Sequence, residues 1–145
     1  MATGLNHSYV PTFDASAGIL AYCAGSVRNR LTWFNRSGTV LGTIGQPGEY
    51  QWPVLSPDDK RIAAGLKNEE TGRYNIWVFD ERGGGTRLTS QDARDSDAVW
   101  SPDGSRILFS RDDGRALYEK PANASGEESL FHDFGYESDQ AYPTD

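Results

Sequence analysis

Several residue types are scarce in this 145-residue chain, and each scarcity excludes a class of protein. The single cysteine, Cys23, excludes an internal disulfide framework and a zinc site built on cysteines. The two histidines, His7 and His132, stand near opposite ends of the sequence, so they form no His-x-x-His motif. We therefore expect no metal and no cofactor.

Basic residues are also few, with 14 Lys and Arg against 21 Asp and Glu and a net charge of −7. A nucleic-acid-binding surface normally shows clustered Lys and Arg, and the sequence has no such cluster. Aspartates such as Asp92, Asp95 and Asp97 could be calcium ligands, but the spacing of a calcium-binding loop is absent. We expect these carboxylates to cap turns or to face solvent.

No apolar run approaches the length that spans a membrane, and no segment shows a helical apolar period. The first residues lack the basic and apolar regions of a signal peptide, so the sequence as written predicts a cytoplasmic protein. Gly-x-Ser-x-Gly is missing, and glycine-rich phosphate or dinucleotide motifs do not occur between a strand and a helix. We therefore expect a protein that is not an enzyme.

The most informative stretch that is present runs from Val99 to Phe109. It reads as a strand, a Ser-Pro-Asp-Gly turn and a second strand. Serine can hydrogen-bond the nearby backbone, proline presets φ at the second position, and glycine accepts positive φ at the fourth. The sequence therefore predicts a β-hairpin at Ser101.

This hairpin recurs along the chain. Aligning Asp14, Ser56 and Ser101 gives spacings of 42 and 45 residues, and a further 45 points just past Asp145. Such a period is typical of propeller blades. We predict blade 1 at about residues 7–45, blade 2 at about 49–90, blade 3 at about 94–132, and the start of a fourth repeat at 137–145.

Each repeat contains four segments with the composition of strands, rich in aromatic and β-branched residues and separated by polar turns. The outer segments are predicted at 40–44, 86–89 and 128–131. The fold class is therefore predicted as all-β, with three blades of four antiparallel strands. Because a turn is needed in every blade and a catalytic group only once, we interpret the repeated Ser-Pro-Asp residues as structural.

The pattern Pro-x-(aromatic or Leu)-Ser-Pro-Asp-Gly-x-Arg-Ile, followed by an Ile-Trp-Val or Leu-Tyr strand, resembles the WD-repeat-like β-propeller of TolB. Residues 31–38 also resemble the blades fused to bacterial membrane-bound Ser/Thr kinases. The resemblance implies a bacterial propeller of six blades, and relatives are often extracytoplasmic. Blade 1 departs from the pattern because it lacks Ser-Pro-Asp-Gly, and Asp59 replaces the turn glycine in blade 2.

Three blades leave two open faces, whereas propellers close with four to eight blades. We predict a homodimer that closes a six-bladed ring through two equivalent junctions between blade 1 and blade 3. The alternative is that the chain is a fragment of a longer propeller.

Function in a propeller is expected where loops converge at the channel. The segments that lead into the innermost strands supply the predicted rim residues, which are His7, Tyr9, Glu49, Tyr50, Trp52, Arg94, Asp95, Asp97, Asp139 and Tyr142. Their mixed aromatic and charged types favour a polar ligand or a peptide, with Trp52 beside Tyr50 as a candidate anchor. Trp52 could equally pack on Pro53 or across a dimer junction.

Three functions remain open from the sequence. The first is a non-enzymatic scaffold that binds a protein or peptide at the channel mouth. The second is a sensor or regulatory module of a larger receptor-like protein. The third is a propeller hydrolase or lyase, for which the candidate acid–base residues are His7, Glu49, Arg94, Asp95 and Asp139.

Overall fold

The computed structural model describes residues 13–16, 18–24, 28–89 and 94–135, and these residues form twelve β-strands and no helix. None of this described part therefore provides a helix long and apolar enough to cross a membrane. The strands form three separate four-stranded sheets, one for each predicted blade.

The strands of each blade follow one another in the chain. Blade 1 contains β1 (Phe13–Ala15), β2 (Ile19–Ala24), β3 (Asn29–Asn35) and β4 (Val40–Gly48). Blade 2 contains β5 (Tyr50–Leu55), β6 (Arg61–Lys67), β7 (Tyr74–Asp80) and β8 (Gly85–Arg87). Blade 3 contains β9 (Asp95–Trp100), β10 (Arg106–Arg111), β11 (Ala116–Pro121) and β12 (Ser129–Asp133).

Within each sheet the strands pair in chain order, and every pairing is antiparallel. The prediction of an all-β fold with three blades of four antiparallel strands is confirmed. Because strands adjacent in sequence are adjacent in space, each blade is a simple meander.

The outer strands begin and end differently from the prediction. β4 extends beyond the predicted residue 44 to Gly48, because Asn29 at the start of β3 pairs with Gly48. β8 is shorter than predicted and ends at Arg87. Leu88 and Thr89 leave the regular ladder but still bond to Ile76, through the Leu88 N–H at 2.8 Å and the Thr89 Oγ1 at 3.1 Å.

Two apolar clusters hold the blades together. The first lies between blades 1 and 2 and centres on Leu31, Trp33 and Ile62. The second lies between blades 2 and 3 and is formed by Ala63, Ile76, Val78, Leu88, Ala98, Trp100, Ile107, Phe109 and Ala122. Side chains alternate between the two faces of a strand, so β6 serves both clusters at once, with Ile62 and Ala64 on one face and Ala63 on the other.

The Ser-Pro-Asp turn has the structure that its sequence predicts. In blade 3 the Gly104 N–H donates to the Ser101 carbonyl at 2.8 Å, and Gly104 has φ +67°. The Ser101 hydroxyl donates to Asp103 at 2.6 Å and accepts from the Arg106 N–H at 2.9 Å. Asp59 takes the place of Gly104 in blade 2 with φ +58°, the left-handed conformation that its sequence position predicts.

The hydrogen bonds of this turn predict a specific dependence of stability on pH. Donation from Ser101, and then from the backbone and side chain of Ser105, lowers the pKa of Asp103 from 3.8 to about 2. A carboxyl with a pKa lowered by folding stabilises the folded state above its unfolded pKa, and this stabilisation is lost as pH falls through the folded pKa. We expect Asp103→Asn to lower the urea midpoint of unfolding at pH 7. Between pH 4 and pH 2 the midpoint of this variant should fall less steeply than that of the wild-type protein.

Urea titrations followed by circular dichroism at pH 7, 4 and 2 measure this effect. Ser101→Ala removes the hydroxyl that lowers the pKa most, so its curve should also decline less steeply with acid. Wild-type and Asp103→Asn curves that run parallel over this range would contradict the assignment.

Candidate binding site at the first strands of the blades

The first strands of the three blades lie side by side and are joined by two side chains. The Asp14 Oδ2 in β1 accepts the Leu55 N–H of β5 at 2.6 Å. The Trp100 Nε1 of β9 donates to the Val54 carbonyl of β5 at 3.2 Å. β5 therefore lies between β1 and β9, and each neighbour bonds to its backbone.

A cavity of about 450 Å³ opens beside these contacts, near the carboxyl ends of β5 and β9 and the turns that follow them. All three blades contribute to its lining, which consists of Asp14, Val54, Leu55, Pro57, Val99, Trp100 and Pro102. The lining residues of blades 2 and 3 are repeat equivalents 45 positions apart, namely Val54 and Val99, Leu55 and Trp100, and Pro57 and Pro102. The walls are aliphatic and aromatic, apart from the carboxylate of Asp14. Small-molecule and peptide sites commonly combine apolar walls with a few placed polar groups.

Arg61 fixes the indole of Trp100 from the outside of this cavity. The Arg61 guanidinium lies 4.6 Å from the centre of the Trp100 ring, and its Nη2 donates to the Gly104 carbonyl at 2.9 Å. A cation over an indole face is attracted by the ring quadrupole. Because both contacts cross from blade 2 to blade 3, they hold one wall of the cavity in place.

The predicted rim lies at the opposite ends of the first strands. Glu49 directly precedes β5 and accepts from Lys67 at 2.8 Å and from the Tyr74 hydroxyl. These hydrogen bonds lower the pKa of Glu49, whereas burial, and then Glu49, raises the pKa of Tyr74. A six-residue strand is about 17 Å long, so this rim is well separated from the larger cavity.

A smaller cavity of about 230 Å³ lies at this rim, and its lining is entirely charged: Arg28, Glu49, Lys67 and Glu69. Arg28 pairs with Glu69, and Arg94, which precedes β9, pairs with Asp113 at 2.9 Å. These residues, together with Glu49 and Lys67, therefore already neutralise one another in pairs.

Two predicted rim residues belong to the interior. The sequence places Tyr50 and Asp95 in lead-in segments, but they are the first residues of β5 and β9 and are 2% and 0% exposed. The Tyr50 ring packs edge-on against Phe79, and its hydroxyl donates to the Gln46 carbonyl at 2.7 Å. Tyr50 fills the space between blades 1 and 2, so it is a packing residue.

Asp95 belongs to a buried charge cluster. Arg111 donates to Asp95 at 2.7 Å and to Glu128 at 2.6 Å, and its guanidinium lies 4.4 Å from the Tyr118 ring centre. Burial raises the pKa of Asp95, against the opposing hydrogen bond from Arg111. Burial alone would lower the pKa of Arg111, but bonds to Asp95 and the charge of Glu128 outweigh it and raise that pKa.

Trp52 and Asp97 occupy the same position of two repeats, and the structure makes both the first residue of a β-bulge. Their φ angles are 51° and 50°, although neither is glycine. The register of β5 against β6 shifts between Gln51 and Val54, and β9 shows the matching shift against β10. Positive φ in residues other than glycine stores strain, and such positions cluster at functional sites.

The two bulge side chains have different surroundings. The Trp52 indole packs edge-on against Tyr74 at 5.2 Å between ring centres, and a Cβ on Gly65 would lie 2.9 Å from it. The Asp97 Oδ2 lies 3.4 Å from the Ser110 hydroxyl. Both side chains are half-buried, so each keeps a surface for a ligand.

The remaining predicted site residues, His7, Tyr9, Asp139 and Tyr142, lie outside the described residues. The binding role of the whole predicted rim stays a prediction. In the described ranges, no three or more His, Cys, Asp and Glu side chains are arranged to hold a metal ion.

The sequence interpretation missed the larger cavity. Trp100 belongs to the second apolar cluster, between blades 2 and 3. However, the same ring also lines the cavity. Asp14 is treated only as an alignment position, and nothing in its local sequence indicates that its carboxylate reaches the next blade. The sequence did offer one indication of this cavity, because Pro57 and Pro102 are equivalent positions of two repeats. Their equivalence places two rigid turns at the same end of neighbouring blades.

Solved structures with the same architecture are found by structural comparison. The β-propeller domain of the Trilobed protease from Pyrococcus furiosus superposes with a TM-score of 0.65 and 18% identity over 88% of this chain and 44% of its own. TolB from Acinetobacter baumannii gives a TM-score of 0.61 and 17% identity over 80% of this chain and 30% of its own. This chain has a TolB-like β-propeller fold.

Other propellers share the fold as well. The acylaminoacyl peptidase of Pyrococcus horikoshii matches with a TM-score of 0.61 and 15% identity, over 84% of this chain and 25% of its own. No protein-family model matches the sequence. The coverages of 44%, 30% and 25% mean that the chain spans less than half the length of each of these propeller structures.

The propeller fold gives the two cavities their places. The blades of a propeller surround a central channel. In this chain β1, β5 and β9 lie side by side, so they form the edge of the three blades that such a channel would face. The cavity with Asp14 and Trp100 lies at the carboxyl ends of β5 and β9, and the charged rim with Glu49 and Arg94 lies at the amino ends of the same two strands.

Proposed function

We propose that this propeller binds an extended protein or peptide segment at the channel mouth and performs no chemistry on it. The observation that carries the proposal is the cavity of about 450 Å³ to which all three blades contribute. A site built from repeat-equivalent positions of several blades suits a chain that lies across them.

The lining of the cavity defines the chemistry of the ligand. Val54, Val99 and Trp100 offer apolar contact, and the carboxylate of Asp14 offers one negative charge. The net charge of the chain is −7, which favours a positively charged partner. The proposed ligand is therefore a peptide segment with apolar side chains and a Lys or Arg side chain directed to Asp14.

The opposite mouth is less suited to this ligand. There Glu49 is bonded to Lys67 and Tyr74, and Arg94 is paired with Asp113, so a charged ligand would have to replace these partners. Displacing an existing ion pair offsets much of the energy of forming a new one.

The hydrolase alternative requires a different arrangement. General acid–base catalysis needs at least two groups that converge on one reacting atom. Asp14 is the sole titratable group among the residues lining the described cavity. The sensor alternative is compatible with the same cavity, because a regulatory module also acts by binding, and the propellers it resembles are longer chains.

The proposal is tested with an array of short synthetic peptides, from which a captured sequence is labelled and its dissociation constant measured by fluorescence anisotropy. We expect Asp14→Asn to weaken binding by about tenfold or more, because it replaces a charge-assisted contact with a neutral one. Asparagine can still accept the Leu55 N–H, so the fold should persist. Glu81→Gln, an exposed turn residue, is the matched control and should change little.

Trp52→Ala separates the two mouths in the same assay. Binding lost in Trp52→Ala but retained in Asp14→Asn would overturn the proposed cavity and place the ligand at the Glu49 rim. Mass spectrometry of the peptide after incubation gives a further test. Cleavage that Asp14→Asn abolishes would replace the binding function with a hydrolase.

A further inference from the structure

The junction between blades 1 and 2 shows how one blade covers the next. The face of a blade that meets the preceding blade is called its leading face, and the face that meets the following blade its trailing face. On the leading face of blade 2, Ile62 pairs in register with Phe79, and these side chains are 0% and 3% exposed. Blade 1 covers them with Leu31 and Trp33.

The leading face of blade 1 carries the same kind of row, and no blade among the described residues covers it. Leu20 stands 42 residues before Ile62 and pairs with Phe34, which in turn pairs with Val40. Leu20 and Phe34 are only half-buried, and Val40 is 56% exposed. An apolar row across three strands is thus open where the equivalent pair of blade 2 is closed.

The trailing face of blade 3 likewise has no covering blade within the described part of the chain. Val99 pairs with Leu108, and both are half-buried, whereas the equivalent Val54 and Ala63 of blade 2 pack with the second apolar cluster. Arg106 stands 45 residues after Arg61, which crosses to the next blade.

Arg106 has no following blade among the described residues, and its guanidinium lies on Glu119 at 2.9 Å. Glu119 pairs with Leu108, just as Val78 pairs with the equivalent residue Ala63 in blade 2. Arg61, which links blade 2 to blade 3, therefore has an equivalent in Arg106 on blade 3. Arg106 is held by a partly exposed ion pair that solvent weakens.

We propose that a second copy of this chain covers these faces, with the trailing face of blade 3 in one copy packed on the leading face of blade 1 in the other. Two such junctions, related by a two-fold axis, close a ring of six blades. In this junction Arg106 leaves Glu119 and donates a hydrogen bond to the backbone of the partner blade, in the same way as Arg61 donates to the Gly104 carbonyl. Each chain carries both halves of the junction, so a second copy satisfies both faces.

The oligomeric state tests this proposal directly. Light scattering after size exclusion at micromolar concentration should give the mass of two chains. Val40→Glu places a charge in the apolar row of blade 1 and should reduce the mass to one chain. Leu130→Glu is the matched control, because Leu130 is 54% exposed, close to Val40 at 56%. Leu130 pairs with Tyr118 on the leading face of blade 3, whereas the proposed junction uses the trailing face of that blade. The control should leave two chains associated.

Arg106→Gln tests the other side of the junction and should raise the dimer dissociation constant by at least tenfold. Circular dichroism of each variant verifies that the blades remain folded. A wild-type mass of one chain would overturn the proposal, as would a mass that grows steadily with concentration, because open-ended stacking does not close a ring. Equal loss of association in Val40→Glu and Leu130→Glu would also overturn it. Peptide binding by a monomer would leave the proposed function intact.

Discussion

Arg111→Leu should lower the free energy of unfolding by about 3–5 kcal/mol, because it leaves buried carboxylates without their counter-ion. Arg111 bonds both Asp95 and Glu128, and the side chains of these carboxylates are 0% and 11% exposed. The size of leucine is compatible with the position, since Leu66 occupies it in blade 2, where its register partner is Tyr50. The loss should therefore come from charge and not from a steric clash.

A variant with neutralised partners separates these causes. Asp95→Asn and Glu128→Gln added to Arg111→Leu should recover at least about 1 kcal/mol, because no unpaired charge then stays buried. Arg94→Leu is the control, since Arg94 and Asp113 form an exposed pair for which about 0–1 kcal/mol is expected. Urea denaturation at pH 7 measures all three. Equal stability of the single and triple variants would show that packing, not charge, makes Arg111 necessary.

Gly45→Ala is the second large effect, at about 2–4 kcal/mol of lost stability. Gly45 has φ +74°, and a Cβ there would lie 2.4 Å from the Tyr50 hydroxyl oxygen. The strain of a left-handed alanine adds about 1–2 kcal/mol to the loss of the partly buried hydrogen bond from the Tyr50 hydroxyl to the Gln46 carbonyl. Because Tyr50 packs between blades 1 and 2, the variant should loosen that junction.

Gly42→Ala in the same strand is the matched control. A Cβ on Gly42 meets nothing within 4 Å, and its φ lies outside the positive range. Thermal unfolding should therefore show a lower Tm for Gly45→Ala and little change for Gly42→Ala. Similar shifts in both variants would mean that any alanine in β4 is harmful and that the Tyr50 contact has no special role.

The repeat made most of the fold predictable. Ser56 and Ser101 mark tight turns, and the aromatic segments between them alternate as strands do, so four strands per blade follow from local chemistry. Outer strands were less predictable, because contacts such as Leu88 with Ile76 decide where the ladder ends.

The candidate site was less accessible to sequence reasoning, and β5 shows why. Strict alternation from Leu55 backward places Tyr50 on the face of Val54. The bulge at Trp52 inserts one residue, which returns Tyr50 to the face of Leu55 and into the core between blades 1 and 2. A bulge that begins with tryptophan has no sequence signature, because glycine is the residue that normally marks it.

The bulges at Trp52 and Asp97 also bear on how such repeats diverge. A large aromatic side chain and a small acidic one adopt nearly the same φ, so the unusual backbone belongs to the position within the repeat and not to the residue type. Mutation can then exchange the side chain at this position without redesigning the blade around it. Successive copies of a duplicated blade could in this way acquire different surface chemistry on one inherited backbone.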